Sequence, residues 1–166
     1  MRSRSRKPYL FVVVDEFSRF PFVFPCCNMT SKTVIQCLTQ LFVIFGLPGY
    51  VHSDQGSAFM SKDLKDYLTA RGVVSSQSTP YHPTGNSQCE RTNQTIWKTV
   101  KLLLKSRGLV EDDWESVLPE ALHAVRSLLC TATNNEPHER FFKFQRRSGL
   151  GRTHPSWLRW NQVLFY

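Results

Sequence analysis

The sequence predicts an α/β layer architecture in which strands alternate with helices that cover them. Short β-branched and aromatic runs alternate with segments of helical period. The first two helical segments begin at Ser or Thr and stop at Gly, and a stretch rich in Pro, Gly, Ser and Asn interrupts the alternation midway. At 166 residues the chain suits one domain, long enough to bury about two-thirds of its surface on folding.

The first run, "YLFVVVD" from Tyr9, is a strand, and "RFPFVFPC" follows a polar turn around Ser18 as its hairpin partner. In "TSKTVIQCLTQLFVIFGLPG", Val34, Cys37, Leu38, Leu41, Phe42 and Phe45 recur at helical spacing. Thr30 or Ser31 caps this helix, Gly46 ends it and Pro48 blocks its continuation. "YVHSD" is a short strand ending at Asp54. "SKDLKDYLTARG" is a helix from Ser61 to Gly72 that buries Leu64, Tyr67 and Leu68, and "VVSSQ" is another strand. "STPYHPTGNS" reads as a loop. A long helix covers residues 86–107. A last long helix covers residues 113–129, with Trp114, Val117, Leu118, Leu122 and Val125 inward and Pro119 delaying its start or kinking it. "PHERFFKF" is a terminal helical turn. The expected boundaries are a basic tail over 1–8, one domain over 9–147 and a C-terminal tail over 148–166.

Twenty-one Lys and Arg against thirteen Asp and Glu leave a formal charge of +8 at pH 7. That surplus favours polyanionic partners, because each neutralised phosphate releases condensed counterions. Five cysteines, an odd count without paired CxxC spacing, read as reduced thiols in an intracellular protein with no zinc site. No run approaches the roughly 20 apolar residues of a membrane span, and "MRSRSRKPYL" lacks the apolar stretch of a signal peptide. That basic start reads as a solvated tail, a phosphate-binding or nuclear-import segment, or an arbitrary start in a longer frame.

Two carboxylates are placed to do chemistry. Asp54 ends a strand and Glu90 lies in the first turn of the long helix, a combination that can converge over one sheet edge. Hard dications such as Mg²⁺ take one or two carboxylates together with water and substrate phosphates. A pair of such ions clamps the attacking and leaving oxygens in phosphodiester chemistry. The plainer reading gives Asp54 to a turn and Glu90 to a helix N-terminus, where negative charge is favoured anyway. On the long helix, Cys89, Asn93, Ile96, Val100 and Leu103 form the expected buried face. Glu90, Gln94, Lys98, Lys101 and Lys105 lie on the adjoining flank, a track for a phosphate backbone or simply a solvated face.

The segments "VVVDEFSRFPFVFP", "LFVIFGLPGYVHSDQGSAFMS", "TPYHPTGNSQCERTNQTI", "WESVLPEALHAVRS" and "EPHERFFKF" resemble the integrase catalytic core of gypsy-type retrotransposons and retroviruses, from Tyr9 to Arg147. Thirty-five residues separate Asp54 from Glu90, the spacing of that family's Asp/Glu pair. The resemblance implies a ribonuclease H-like mixed sheet flanked by helices. It also implies Mg²⁺ or Mn²⁺ held by acidic residues, and DNA as partner and substrate. The implied activity is metal-dependent 3′-end processing and strand transfer in DNA integration. It implies catalytic and metal-ligating roles for Asp54 and Glu90, and DNA contacts at Tyr81, Asn86, Asn93, Gln94, Lys98, Lys101 and Lys105. A homodimer is expected, with neither membrane nor small-molecule substrate, and the nucleus, otherwise the cytoplasm, as compartment.

The resemblance departs from the family in telling places. Asp15 matches the family's non-catalytic Asp at the end of the second strand, and strand direction puts it at the opposite sheet end from Asp54. The family's first strand, with the first catalytic Asp, finds no counterpart in "MRSRSRKP". The expectation is therefore an impaired enzyme with a gap or unpaired edge in its sheet. The alternative is a non-catalytic nucleic-acid-binding or protein-interaction module. Ser87 and Gln94 replace residues that are commonly Gly and basic. The family's N-terminal zinc-binding domain has no match, and its C-terminal DNA-binding domain is not recognisable in "THPSWLRWNQVLFY".

Overall fold

The computed structural model describes residues 7–78, 87–131 and 133–144, together with the backbone of Arg147–Ser148 and Gly151–Arg152. Strands β1 (Tyr9–Val14) and β2 (Pro21–Cys26) form an antiparallel hairpin, Val14 opposite Pro21 and Tyr9 opposite Cys26. Asp15 makes the turn. Its Oδ2 accepts the Ser18 N–H at 2.7 Å and the Ser18 hydroxyl at 2.5 Å, and the Ser18 Oγ accepts the Phe20 N–H at 3.2 Å. Ser18 is fully buried, so these bonds satisfy groups that water does not reach. Asp15 is a turn residue.

The hairpin register also sets the direction of every backbone group. The Asp15 N–H donates to the Phe20 carbonyl at 3.0 Å, so Val13, Phe11 and Tyr9 exchange ladder bonds with β2. The intervening residues turn their backbone groups outward. Pro21 and Pro25 fall at outward positions of β2, where a missing N–H costs the ladder nothing and blunts the edge. Leu10, Val12 and Val14 are the outward positions of β1.

Helix α1 (Ser31–Phe45) starts where the Thr30 side chain accepts the Thr33 N–H and stops at Gly46, whose φ of 84° suits a residue without Cβ. It buries Val34, Cys37, Leu38 and Leu41. Its last ring, Phe45, packs 5.0 Å from Phe22 beside the hairpin turn, so α1 returns the chain to that end. After Gly46 to Gly49, β3 (Tyr50–Ser53) therefore starts near the turn and runs opposite to β1. Asp54 follows β3 at the far end from Asp15, as strand direction requires.

β3 pairs in parallel with β4 (Val74–Gln77), across helix α2 (Lys62–Thr69), which Ser61 caps. Leu64 and Leu68 of α2 are buried, whereas Tyr67 is only partly so. Helix α3 (Ser87–Ser106) packs against α4 (Trp114–Ser127), with Trp97 edge-on to Trp114 at 5.2 Å. The buried ridge of α3 is Thr92, Ile96, Val100 and Leu104, four residues apart throughout. Cys89, Asn93 and Leu103, expected inward, are half-buried instead. A 3₁₀ turn at Glu111–Asp113 leads into α4, which runs through Pro119. Helix α5 (Pro137–Phe142) stacks Phe141 on Phe20 at 5.0 Å, closing the hairpin-turn end with aromatic rings. β5 (Arg147–Ser148) and β6 (Gly151–Arg152) form a two-residue ladder where only a tail was expected. No described helix is long and apolar enough to cross a membrane.

Two cores result. Phe11 and, partly buried, Val13 and Val51 join the α1–α2 core, while Leu10, Val12 and Val23 pack against the α3–α4 core. β1–β2 and β3–β4 lie in separate two-stranded sheets, and β1 and β3 are not paired with each other.

Candidate metal and nucleic-acid site

The carboxylates sit where β3 and α3 end and begin. Asp54 leaves β3 in a tight Asx turn, its Oδ1 accepting the Gly56 N–H at 2.9 Å. A Cβ at Gly56 would stand 3.0 Å from that oxygen and 3.2 Å from the Phe59 ring, so the turn takes glycine for close approach. The Gln55 amide donates to the Ser78 carbonyl at 3.0 Å and ties the turn to the end of β4. Asp54 is exposed. Glu90, also exposed, lies in the first turn of α3, where the helix dipole favours its charge.

Cys89 immediately precedes Glu90 on α3. Its thiol donates to the Val12 carbonyl of β1 at 3.6 Å. Burial pushes the thiol up from its ordinary value, and the charges of Asp54 and then Glu90 push it further. Neither carboxylate has an ion pair among the described residues. Oxygen donors of this kind fit a hard dication completed by water, and a thiol held protonated does not compete for it. Among the described residues no group of three His, Cys, Asp or Glu side chains is arranged to hold a metal.

Gln94, Lys98, Lys101 and Lys105 are all exposed along α3, on the flank that starts at Glu90. Asn93 is different: it is half-buried, and its Oδ1 is sealed from water without a hydrogen-bond partner among the described residues. Tyr81 and Asn86, with the loop that carries them, lie outside the described residues.

His52 was not among the sequence candidates. Its Nδ1 lies 3.1 Å from the Ser76 Oγ, and its Nε2 is buried without a partner among the described residues. Its position on the strand that leads to Asp54, two residues earlier, was the available signal.

Residues 1–83 match the family described as integrase core domain. The Pro-Pol polyprotein of feline foamy virus is 33% identical over 134 residues, 81% of this chain and 11% of that one. The Gag-Pol polyprotein of avian reticuloendotheliosis virus is 37% identical over 120 residues, 71% and 10% respectively. The chain thus spans about a tenth of these relatives' length. Among solved structures, the HTLV-2 integrase catalytic core domain in complex with magnesium, in trimeric form, aligns with a TM-score of 0.64 at 22% identity. That match covers 79% of this chain and 82% of that one. A chain of the simian T-cell lymphotropic virus intasome in complex with PP2A regulatory subunit B56 gamma aligns at 0.68 and 23%, over 79% and 47%. At these identities the structural likeness speaks for the fold.

Proposed function

The chain belongs to the integrase core domain family and has its ribonuclease H-like α/β fold; on that premise we propose that it is a DNA-integration core whose Asp54 and Glu90 hold Mg²⁺ or Mn²⁺. What supports this reading is the placement of Asp54 directly after β3 and of Glu90 in the first turn of α3, with the charge of Asp54 reaching the Cys89 thiol beside Glu90. A dication bound there would supply Lewis acidity toward a phosphodiester and its attacking water. The protein's own part is to hold the two carboxylates on separate rigid elements. The exposed flank of Gln94, Lys98, Lys101 and Lys105 then lies along the DNA backbone. The working form is a homodimer acting on nuclear DNA.

A second reading has its own support. No third acidic group joins Asp54 and Glu90 among the described residues, which suits a slow enzyme or a nucleic-acid-binding module without turnover.

One experiment separates these readings. Calorimetric titration with Mn²⁺ should show binding that Asp54→Asn weakens by at least about tenfold, as loss of a direct ligand requires. Equal affinity in both proteins would remove Asp54 from any metal site. A labelled element-end duplex, cleaved in Mn²⁺ by the parent chain and not by Asp54→Asn, supports the enzyme. Retention of the duplex by both proteins without cleavage supports the binding module.

A further inference from the structure

We propose that Cys26 and Cys37 form a reversible dithiol–disulfide couple, a covalent staple between β2 and α1 that closes in an oxidising medium and opens in a reducing one. Their sulfurs lie 3.9 Å apart, where the last residue of β2 meets the buried face of α1. A disulfide holds its sulfurs at about 2.0 Å, so closure asks each of them to move by about 1 Å. A buried cysteine by itself packs as a small apolar side chain and nothing more. Two that meet sulfur to sulfur, from separate elements, have a bond within reach.

Access and chemistry fit that reading. Both thiols are buried, but Cys27 and Asn28, directly after Cys26, are exposed. Fraying of the strand end, short of global unfolding, therefore uncovers the Cys26 sulfur. The oxidant is a small-molecule disulfide. The Cys26 thiolate attacks one of its sulfurs, the S–S bond breaks, and one half leaves as a thiolate that takes up a proton. The Cys37 thiolate then displaces the second half from Cys26, which leaves and is protonated in turn. Two protein thiols are oxidised, one small disulfide is reduced to two thiols, and protons and electrons balance.

The staple has a neighbour that matters. Cys26 and Cys37 share their core with Ala58 and, partly buried, Phe59, from the segment after Asp54. In that segment the N–H groups of Phe59 and Met60 both donate to the Gly56 carbonyl. Fixing β2 to α1 stiffens the core on which this turn rests. The couple needs neither a metal at Asp54 nor activity on DNA, and the experiment uses neither.

The test uses the full chain carrying Cys27→Ser, which removes the exposed adjacent thiol. The folded chain is incubated with glutathione disulfide, alkylated, digested with trypsin and read by mass spectrometry without reduction. Peptides 20–32 and 33–62, which hold Cys26 and Cys37, should appear linked and separate on adding dithiothreitol. The linked chain should melt at least about 3 °C above the reduced one. Amide exchange at Phe59 and Met60 should slow. Adding Cys26→Ser should abolish the link and the gain in melting temperature together. A folded chain that yields no link, or only mixed disulfides with glutathione, would overturn the proposal. So would a link that forms only in urea, since nearness in sequence alone then accounts for it. Unchanged melting, or unchanged exchange at Phe59 and Met60 in the linked chain, would overturn the stiffening.

Discussion

Asp15 and Asp54 each end a strand, and their fates differ. Asp15 spends an oxygen on the backbone N–H and hydroxyl of a fully buried serine, at an end closed by α5 and its aromatic rings. Asp54 gives one oxygen to the Gly56 N–H at an exposed turn and keeps its remaining capacity toward solvent. An identical residue at the same kind of position is structural where its hydrogen bonds are internally consumed, and available for chemistry where they are not. The difference arises from the next few residues: Ser18 folds back in one turn, and Gly56 permits only a close backbone approach in the other.

The comparison breaks most visibly at Asp15. Asp15→Ala leaves the Ser18 N–H and hydroxyl without their acceptor in a buried turn, at a cost of about 2–3 kcal/mol in urea unfolding. Asp54→Asn should change stability by no more than about 0.5 kcal/mol, since an exposed amide still accepts the Gly56 N–H. Equal losses in the two variants would end the distinction between a structural and an available carboxylate. Gly56→Ala comes next, at about 1–2 kcal/mol, because its Cβ would crowd both the Asp54 oxygen and the Phe59 ring. It should also weaken Mn²⁺ binding, because the Asp54 side chain has to move to admit it. A loss of stability with unchanged Mn²⁺ affinity would show that the turn does not orient the carboxylate.

Much of this was legible in the sequence. Thr30 and Gly46 bound α1 as the capping signals predict, and Ser61 and Gly72 do the same for α2 and its exit. The inward ridge of α3 was harder. "KLLLK" offers three consecutive leucines, so periodicity alone does not choose between Leu103 and Leu104. Packing against α4 chooses Leu104, extending the four-residue ridge from Thr92. The β5–β6 ladder was illegible because two residues per strand carry no period. At the site, the spacing of Asp54 and Glu90 proposed them as a pair, but it gave no sign that the Cys89 thiol would be held against the Val12 carbonyl of β1. Nor did it mark His52, whose buried Nε2 becomes notable only once β3 is placed against its neighbours.

The smallest expected effect tests the closed part of the molecule by pH. Cys26 and Cys37, both buried, hold their sulfurs 3.9 Å apart between β2 and α1. Burial pushes the Cys37 thiol up to about 12, with the neighbouring Cys26 adding to it, against 9.0 for an unperturbed thiol. The folded chain therefore keeps this proton where the unfolded chain releases it. Its contribution to stability is whole below pH 9 and is lost as pH rises from 9 toward 12. By pH 9.5 the loss is just under about 1 kcal/mol, following from the fraction of unfolded thiol ionised. Cys37→Ala loses packing at every pH but not this dependence, so its deficit against the parent chain should narrow between pH 8 and 9.5. Tyr and Lys titrate alike in both proteins and cancel in that difference. Parallel stability curves would mean that water reaches the Cys37 sulfur, and that the α1 side of the hairpin is as open as the turn at Asp54.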